Sequence, residues 1–157
     1  MNLSDAKDLP VARLLPHAPP MILIDRAVSV DTENFEAEVT IRPDSLFCDG
    51  AKVDAWVGVE YMAQAVAAFA GAEAAAAGRA VKTGFLLGTR SYECRVSSFP
   101  VGSVVRIGVK KILHEPNGLS VVECTLRAQG EDSPWVTADL TVFEVDDLAA
   151  YLKEHVK

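Results

Sequence analysis

The sequence predicts an α+β domain in which one curved antiparallel sheet wraps a single long central helix. Three observations point there. Stretches with strand-like alternation fill most of the chain. One segment, residues 54–79, is long, alanine-rich and apolar on every side, as a helix packed on several faces would be. Consecutive antiparallel strands need one apolar face covered, and this helix is the only candidate cover. The whole chain, residues 1–157, reads as one domain without repeats, low-complexity tracts or linkers.

The elements follow in order. Asp8 and Pro10 introduce a short helical turn over residues 8–15. Met21 to Val30 is strand-like. "NFEAEVTIR" then alternates, with Phe35, Ala37, Val39 and Ile41 on one face and Glu36, Glu38, Thr40 and Arg42 on the other. "VDTEN" connects the two as a hairpin. "PDSLFCDGAKVD" is broken by Pro43, Asp44, Asp49 and Gly50 and reads as a loop. Asp54 is a suitable helix N-cap, and Gly78 a suitable stop at the other end. Four strand-like stretches follow: "TGFLLGTRSYECRV", "SVVRIGVKKIL", "GLSVVECTLRA" and "WVTADLTVFEV". Glu115-Pro116-Asn117-Gly118 marks a turn between the middle two. Residues 146–154 can close with a short amphipathic helix. Such a sheet leaves edges open, so pairing with a second subunit is the expected minimum assembly.

Charge and composition exclude several classes. A net charge of −7 disfavours a nucleic-acid binder, which needs cations to replace the counterions around phosphates. The long helix has the length for a membrane span, but Glu60 and Gln64 in its upper half oppose insertion. The N-terminus lacks the pattern of a signal peptide. Cys48, Cys94 and Cys124 form no metal-type pair and no even disulfide set, so they read as small buried thiols of a reducing, cytoplasmic compartment. His114 and His155 read as solvated, and none of the three histidines has metal-ligand spacing.

Two side chains stand apart. His17 lies between prolines in "LLPHAPPMILIDR", and Pro16, Pro19 and Pro20 restrict the backbone around it. Glu60 is the only strongly ionisable side chain between Ala55 and Gly71, and a carboxyl there is desolvated unless partnered. Singly, each has a structural reading: a packing histidine, and a carboxylate bonded to backbone or Tyr61. Together, a base and an acid facing one cavity suit a cofactor-free elimination or its reverse. Such chemistry also needs a stabiliser for a developing enolate, and the helix start near Ala55 and Trp56 offers N–H groups and a positive dipole end.

Three motifs, in order and spacing, resemble the FabA/FabZ-like 3-hydroxyacyl-[acyl-carrier-protein] dehydratases, and through "AWVGVEYMAQA" their aryl-polyene, ApeP-like branch. They are "LLPHAPPMILIDR", "VGVEYMAQA" and "FLLGTRSYECRVSSFPVG", together spanning about residues 14–102. The resemblance implies the hotdog fold. It implies that His17 removes the α-proton, that Glu60 protonates the leaving β-hydroxyl and that Gln64 helps hold the acid. Ala55, Trp56, Gln64 and Gly88 are the implied substrate-binding positions. Trp56, Met62 and Phe85 are expected to line an acyl tunnel. It implies no cofactor or metal, an acyl carrier protein as partner, and a homodimer or a heterodimer with another hotdog subunit. It further implies that His17 and Glu60 meet across the dimer interface, one from each subunit. Where the family has Pro-Gly at the helix start, this chain has Asp54-Ala55. Arg13, Lys82, Arg90 and Arg95 are candidates for a basic carrier-docking patch. Two rival readings stand beside this one. One is a hotdog thioesterase, which has no evident use for the proline-framed histidine. The other is a non-catalytic hotdog subunit partnering a dehydratase, favoured by the altered helix start.

Overall fold

The computed structural model describes residues 1–156. Two 3-10 turns, Leu3–Asp8 and Val11–Arg13, precede a hairpin of β1 (Arg26–Val30) and β2 (Asn34–Thr40). The Asp31 carboxylate closes this hairpin by accepting the backbone N–H groups of Glu33 and Asn34, each at 2.8 Å. A short strand β3 (Lys52–Asp54) leads through a 3-10 turn (Ala55–Val57) into α1 (Gly58–Ala76). Then come β4 (Thr83–Cys94), a short β5 (Ser98–Pro100), β6 (Val104–His114), β7 (Leu119–Ala128), β8 (Val136–Val145) and α2 (Leu148–His155). The six-stranded sheet has the order β1-β2-β6-β7-β8-β4 with antiparallel pairing throughout, while β3 and β5 pair separately.

The alternation read in the sequence is the register of the core. Phe35, Ala37 and Val39 of β2 face Val109, Ile107 and Val105 of β6. Val109 and Ile107 in turn face Cys124 and Leu126 of β7, and those face Ala138 and Val136 of β8. All of these side chains are buried. Helix α1 covers this face, packing on β1, β2, β6 and β7. Its buried side carries Tyr61, Met62, Ala65, Ala68, Phe69 and Ala72, and Phe69 stacks on Phe35 with centroids 5.5 Å apart. Each large apolar side chain so buried contributes roughly 1.5–3 kcal/mol. One antiparallel sheet around one central helix is the hotdog arrangement expected.

Several local expectations are corrected. The strand expected from Met21 begins only at Arg26, because the backbone of Met21 and Leu23 bonds to the Gln64 side chain instead of to a neighbouring strand. Asp54 caps nothing with its side chain: it belongs to β3 opposite Ser98, and the helix starts through the 3-10 turn. Gly78 does end the helix, at φ 69°, with Arg79 N–H donating to Ala74 O at 2.8 Å. Of the cysteines only Cys124 is buried, and burial pushes its thiol up to about 12; Cys48 is half-buried and Cys94 exposed. Asp147 caps the closing helix by accepting from Ala150 N–H. Among the described residues, no helix is long and apolar enough to cross a membrane.

β4 is the exception to the burial pattern. It forms one edge of the sheet, and nearly all its twelve residues are exposed, including Phe85, Leu86 and Leu87.

Candidate active site

His17 is placed by the chain that precedes it. Leu14 and Leu15 are buried, and Leu14 lies against Gly71 of α1. A Cβ on Gly71 would stand 1.8 Å from the Leu14 carbonyl oxygen, so only glycine lets this segment lie so close to the helix. Three residues on, His17 Nε2 lies 3.9 Å from Glu60 Oε1. Its Nδ1 is buried without a hydrogen-bond partner, which leaves Nε2 as the nitrogen turned to the carboxyl group.

Glu60 occupies the first turn of α1, and Gln64, one turn on, is fully buried beneath it. The Gln64 amide nitrogen donates to Glu60 Oε1 at 3.1 Å and to Met21 O at 2.7 Å. Its oxygen accepts from Leu23 N–H at 2.8 Å. One side chain therefore ties the acid to the segment that follows the histidine. The desolvation expected of Glu60 is only partial, since its side chain is 38% exposed and opens into a cleft.

That cleft, about 190 Å³, runs between α1 and the sheet's β8–β4 side. Ala63, Val66, Ala67 and Ala70 of the helix form one wall, and Phe85, Leu86 and Phe143 stand among the strand residues opposite. The acid–base pair and Pro16 lie at one part of this largely apolar surface. A base and an acid with an apolar slot beside them can take a proton from one carbon of an acyl chain and give one to a leaving group on the next.

The expected residues divide. His17 and Glu60 come together, but within one chain, so the expected placement on opposite subunits is corrected. Gln64 holds the acid and, being fully buried, is not among the residues that line the cleft. Phe85 lines the cleft as expected. Met62 does not: it is fully buried on the other side of the helix. Trp56 is 64% exposed and packs edge-on against Phe47 away from the cleft lining. The Ala55 amide is already committed to Ser97 O at 3.0 Å, and its carbonyl accepts from the Tyr92 hydroxyl at 2.6 Å, so Ala55 offers no amide to a thioester. Gly88 lies beyond a register shift in β4 and outside the lining, whereas Gly84 and Leu86 are within it. The four candidate docking cations cannot form one patch. Lys82 and Arg95 flank the ends of β4, about 40 Å apart along the strand, with Lys82 paired to Glu144 and Asp146 and Arg95 bonded to Ser133. Lys82 is at the cleft, and Arg13 is four residues before His17. Among the described residues, no group of His, Cys, Asp or Glu is placed to hold a metal ion.

The sequence reading missed Ala63, Ala67, Ala70 and Phe143. The signal was present in part: the three alanines recur from Glu60 at helical spacing on one face.

Comparison with known proteins bears on this site. No curated protein matches the chain. Of the solved structures, one subunit of the dehydratase heterocomplex ApeI:P from Xenorhabdus doucetiae superposes with a TM-score of 0.85 at 28% identity, covering 95% of this chain and 99% of that one. A Streptococcus mutans protein bound to acetyl-CoA matches with a TM-score of 0.60 at 15% identity, over 83% of this chain and 95% of that one. A hypothetical thioesterase from Streptococcus pneumoniae with coenzyme A gives 0.55 at 13%, over 76% and 84%; these last two share the fold alone. The ApeP-like family, described as ApeP dehydratase, matches residues 9–153, and this chain belongs to that dehydratase family.

Proposed function

We propose that the chain dehydrates (3R)-hydroxyacyl thioesters carried on acyl carrier protein to trans-2-enoyl thioesters, in aryl-polyene or fatty-acid biosynthesis. The observation that carries this reading is the 3.9 Å approach of His17 Nε2 to Glu60 Oε1 beside an apolar cleft. His17 Nε2 takes the α-proton. The electron pair of that C–H bond becomes the new α,β double bond, the β C–O bond breaks, and protonated Glu60 supplies the proton that lets the hydroxyl leave as water. Afterwards His17 holds a proton and Glu60 lacks one, and their proximity lets it return for the next turn. Gln64 positions the acid. Lys82, which lines the cleft, and Arg13, four residues before His17 in the chain, are the proposed docking cations. The exposed edge of β4 pairs with a second hotdog subunit, in keeping with the ApeI:P heterocomplex to which the chain is similar.

A second reading has one observation in its favour. The Ala55 amide, at the position where dehydratases polarise the thioester, is already bonded to Ser97. On that reading the chain supports a catalytic partner. The test is to incubate the purified chain, alone and with a candidate hotdog partner, with 3-hydroxyacyl and plain acyl thioesters. Enoyl formation that vanishes with His17→Ala supports catalysis here. Enoyl formation needing only the partner's site supports the second reading, and free thiol release from plain acyl thioesters supports a thioesterase.

A further inference from the structure

A second cleft, about 330 Å³, continues the first: Val66, Ala70, Lys82, Val142 and Glu144 line both. The combined groove follows α1 from Glu60 past Ala63, Ala67 and Ala70 to Glu73. Those thirteen helical steps span about 20 Å. An extended chain with C–C bonds near 1.5 Å advances about 1.25 Å per carbon, so the groove has room for about sixteen carbons.

Its far end differs from its middle. Glu73 and Lys111 form an ion pair there, with Lys111 Nζ 4.5 Å from the centroid of the Phe69 ring. His114 Nδ1 lies 2.7 Å from Ser120 Oγ, so the Nε2 edge of His114 is the part of its ring available to a ligand. All five side chains line the second cleft, and Arg79 adds a further cation. A groove serving a plain alkyl tail would gain most from an apolar end, because polar groups covered by a methyl terminus lose water without replacement.

We propose that this second cleft is the terminal subsite of the acyl groove and selects a long, extended chain whose far end carries a hydrogen-bonding group such as a hydroxyl. His114 and the Glu73–Lys111 pair are its specificity determinants. The proposal rests on the dehydratase reading for the identity of the occupant, but its test does not.

Unreactive acyl pantetheine thioesters of equal length, about fourteen carbons, ending in hydroxyl or methyl would be titrated calorimetrically into the chain and its natural assembly. The hydroxyl-ended ligand is expected to bind about tenfold more tightly, the ratio one good hydrogen bond confers. His114→Phe, at an exposed strand end where folding is not at stake, should abolish that preference. Ala70→Phe should exclude both long ligands, and dehydration of a 3-hydroxybutyryl thioester by the unaltered assembly is measured alongside. Equal or tighter binding of the methyl-ended ligand overturns the proposal, as does a preference that survives His114→Phe or binding of neither ligand. Failure to dehydrate the short thioester would count against the dehydratase reading, with the binding ratio still deciding the subsite.

Discussion

Replacing Gln64 with leucine tests how the site is held. The swap preserves most of the volume but removes three hydrogen bonds: to Leu23 N–H, to Met21 O and to Glu60. Two backbone groups lose their partners, and each buried unsatisfied group costs about 1–3 kcal/mol. Met21 is exposed enough for water to replace its bond, so its share falls at the low end, while Leu23 is half-buried. Exchanging a buried amide for an apolar side chain returns part of the loss, leaving a net destabilisation of about 2–3 kcal/mol. In a chain of this size each kcal/mol moves Tm by about 2–4 °C, so a fall of about 5–10 °C is expected. Thermal melts followed by circular dichroism measure it. Hydrogen exchange localises it: the Leu23 amide should lose protection while Phe35 and Ile107 keep theirs. Dehydration should drop as well, because Glu60 is released from its tether. A Tm within 2 °C of the parent with Leu23 still protected would refute the bracing role.

Other expectations follow from the same geometry. His17→Ala and Glu60→Gln should each reduce dehydration by about 10²-fold or more with folding intact, measured by enoyl formation. Since both groups belong to one chain, a purified mixed dimer of the two variants should stay as inactive as its parents; recovery to roughly half of wild type would mean that the subunits exchange catalytic groups. Gly71→Ala should destabilise by about 1–3 kcal/mol in urea titration, because its Cβ drives the Leu14 carbonyl, and His17 with it, away from α1. The Asp31 carboxyl is held below its ordinary 3.8 by the N–H groups of Glu33 and Asn34. Its contribution is therefore full above that value and is lost as pH falls through the lower folded-state value. Asp31→Asn should flatten the acid limb of the pH–stability curve and leave pH 7 behaviour close to wild type apart from the altered turn.

What the sequence made legible was what local pattern encodes. Phe35, Ala37 and Val39 are the buried face of β2, with Ile41 buried just past its end, Gly118 turns the β6–β7 hairpin at φ 96°, and Gly78 ends the helix. The failures share a cause. The apolar run from Met21 looks like strand because nothing local announces a glutamine 41 residues away that binds Leu23 N–H. Asp54 looks like a cap because its pairing with Ser98 is equally distant in sequence. A helix apolar all round carries no phase, so Met62 could be assigned to the cleft while its neighbour Ala63 is the residue that lines it. The motifs picked out His17 and Glu60, but not that one chain would bring both to the same place.

The open edge of β4 has a consequence for the cell. A strand of this length with Phe85, Leu86 and Leu87 uncovered is a template for any unpaired strand, including another copy of itself on a nascent chain. Synthesis in excess of whatever covers it would produce orphan subunits that chaperones retain and proteases remove. On the proposed pairing with a second hotdog subunit, the steady-state amount of this protein would be set by that subunit, making stoichiometry self-correcting at the level of protein lifetime.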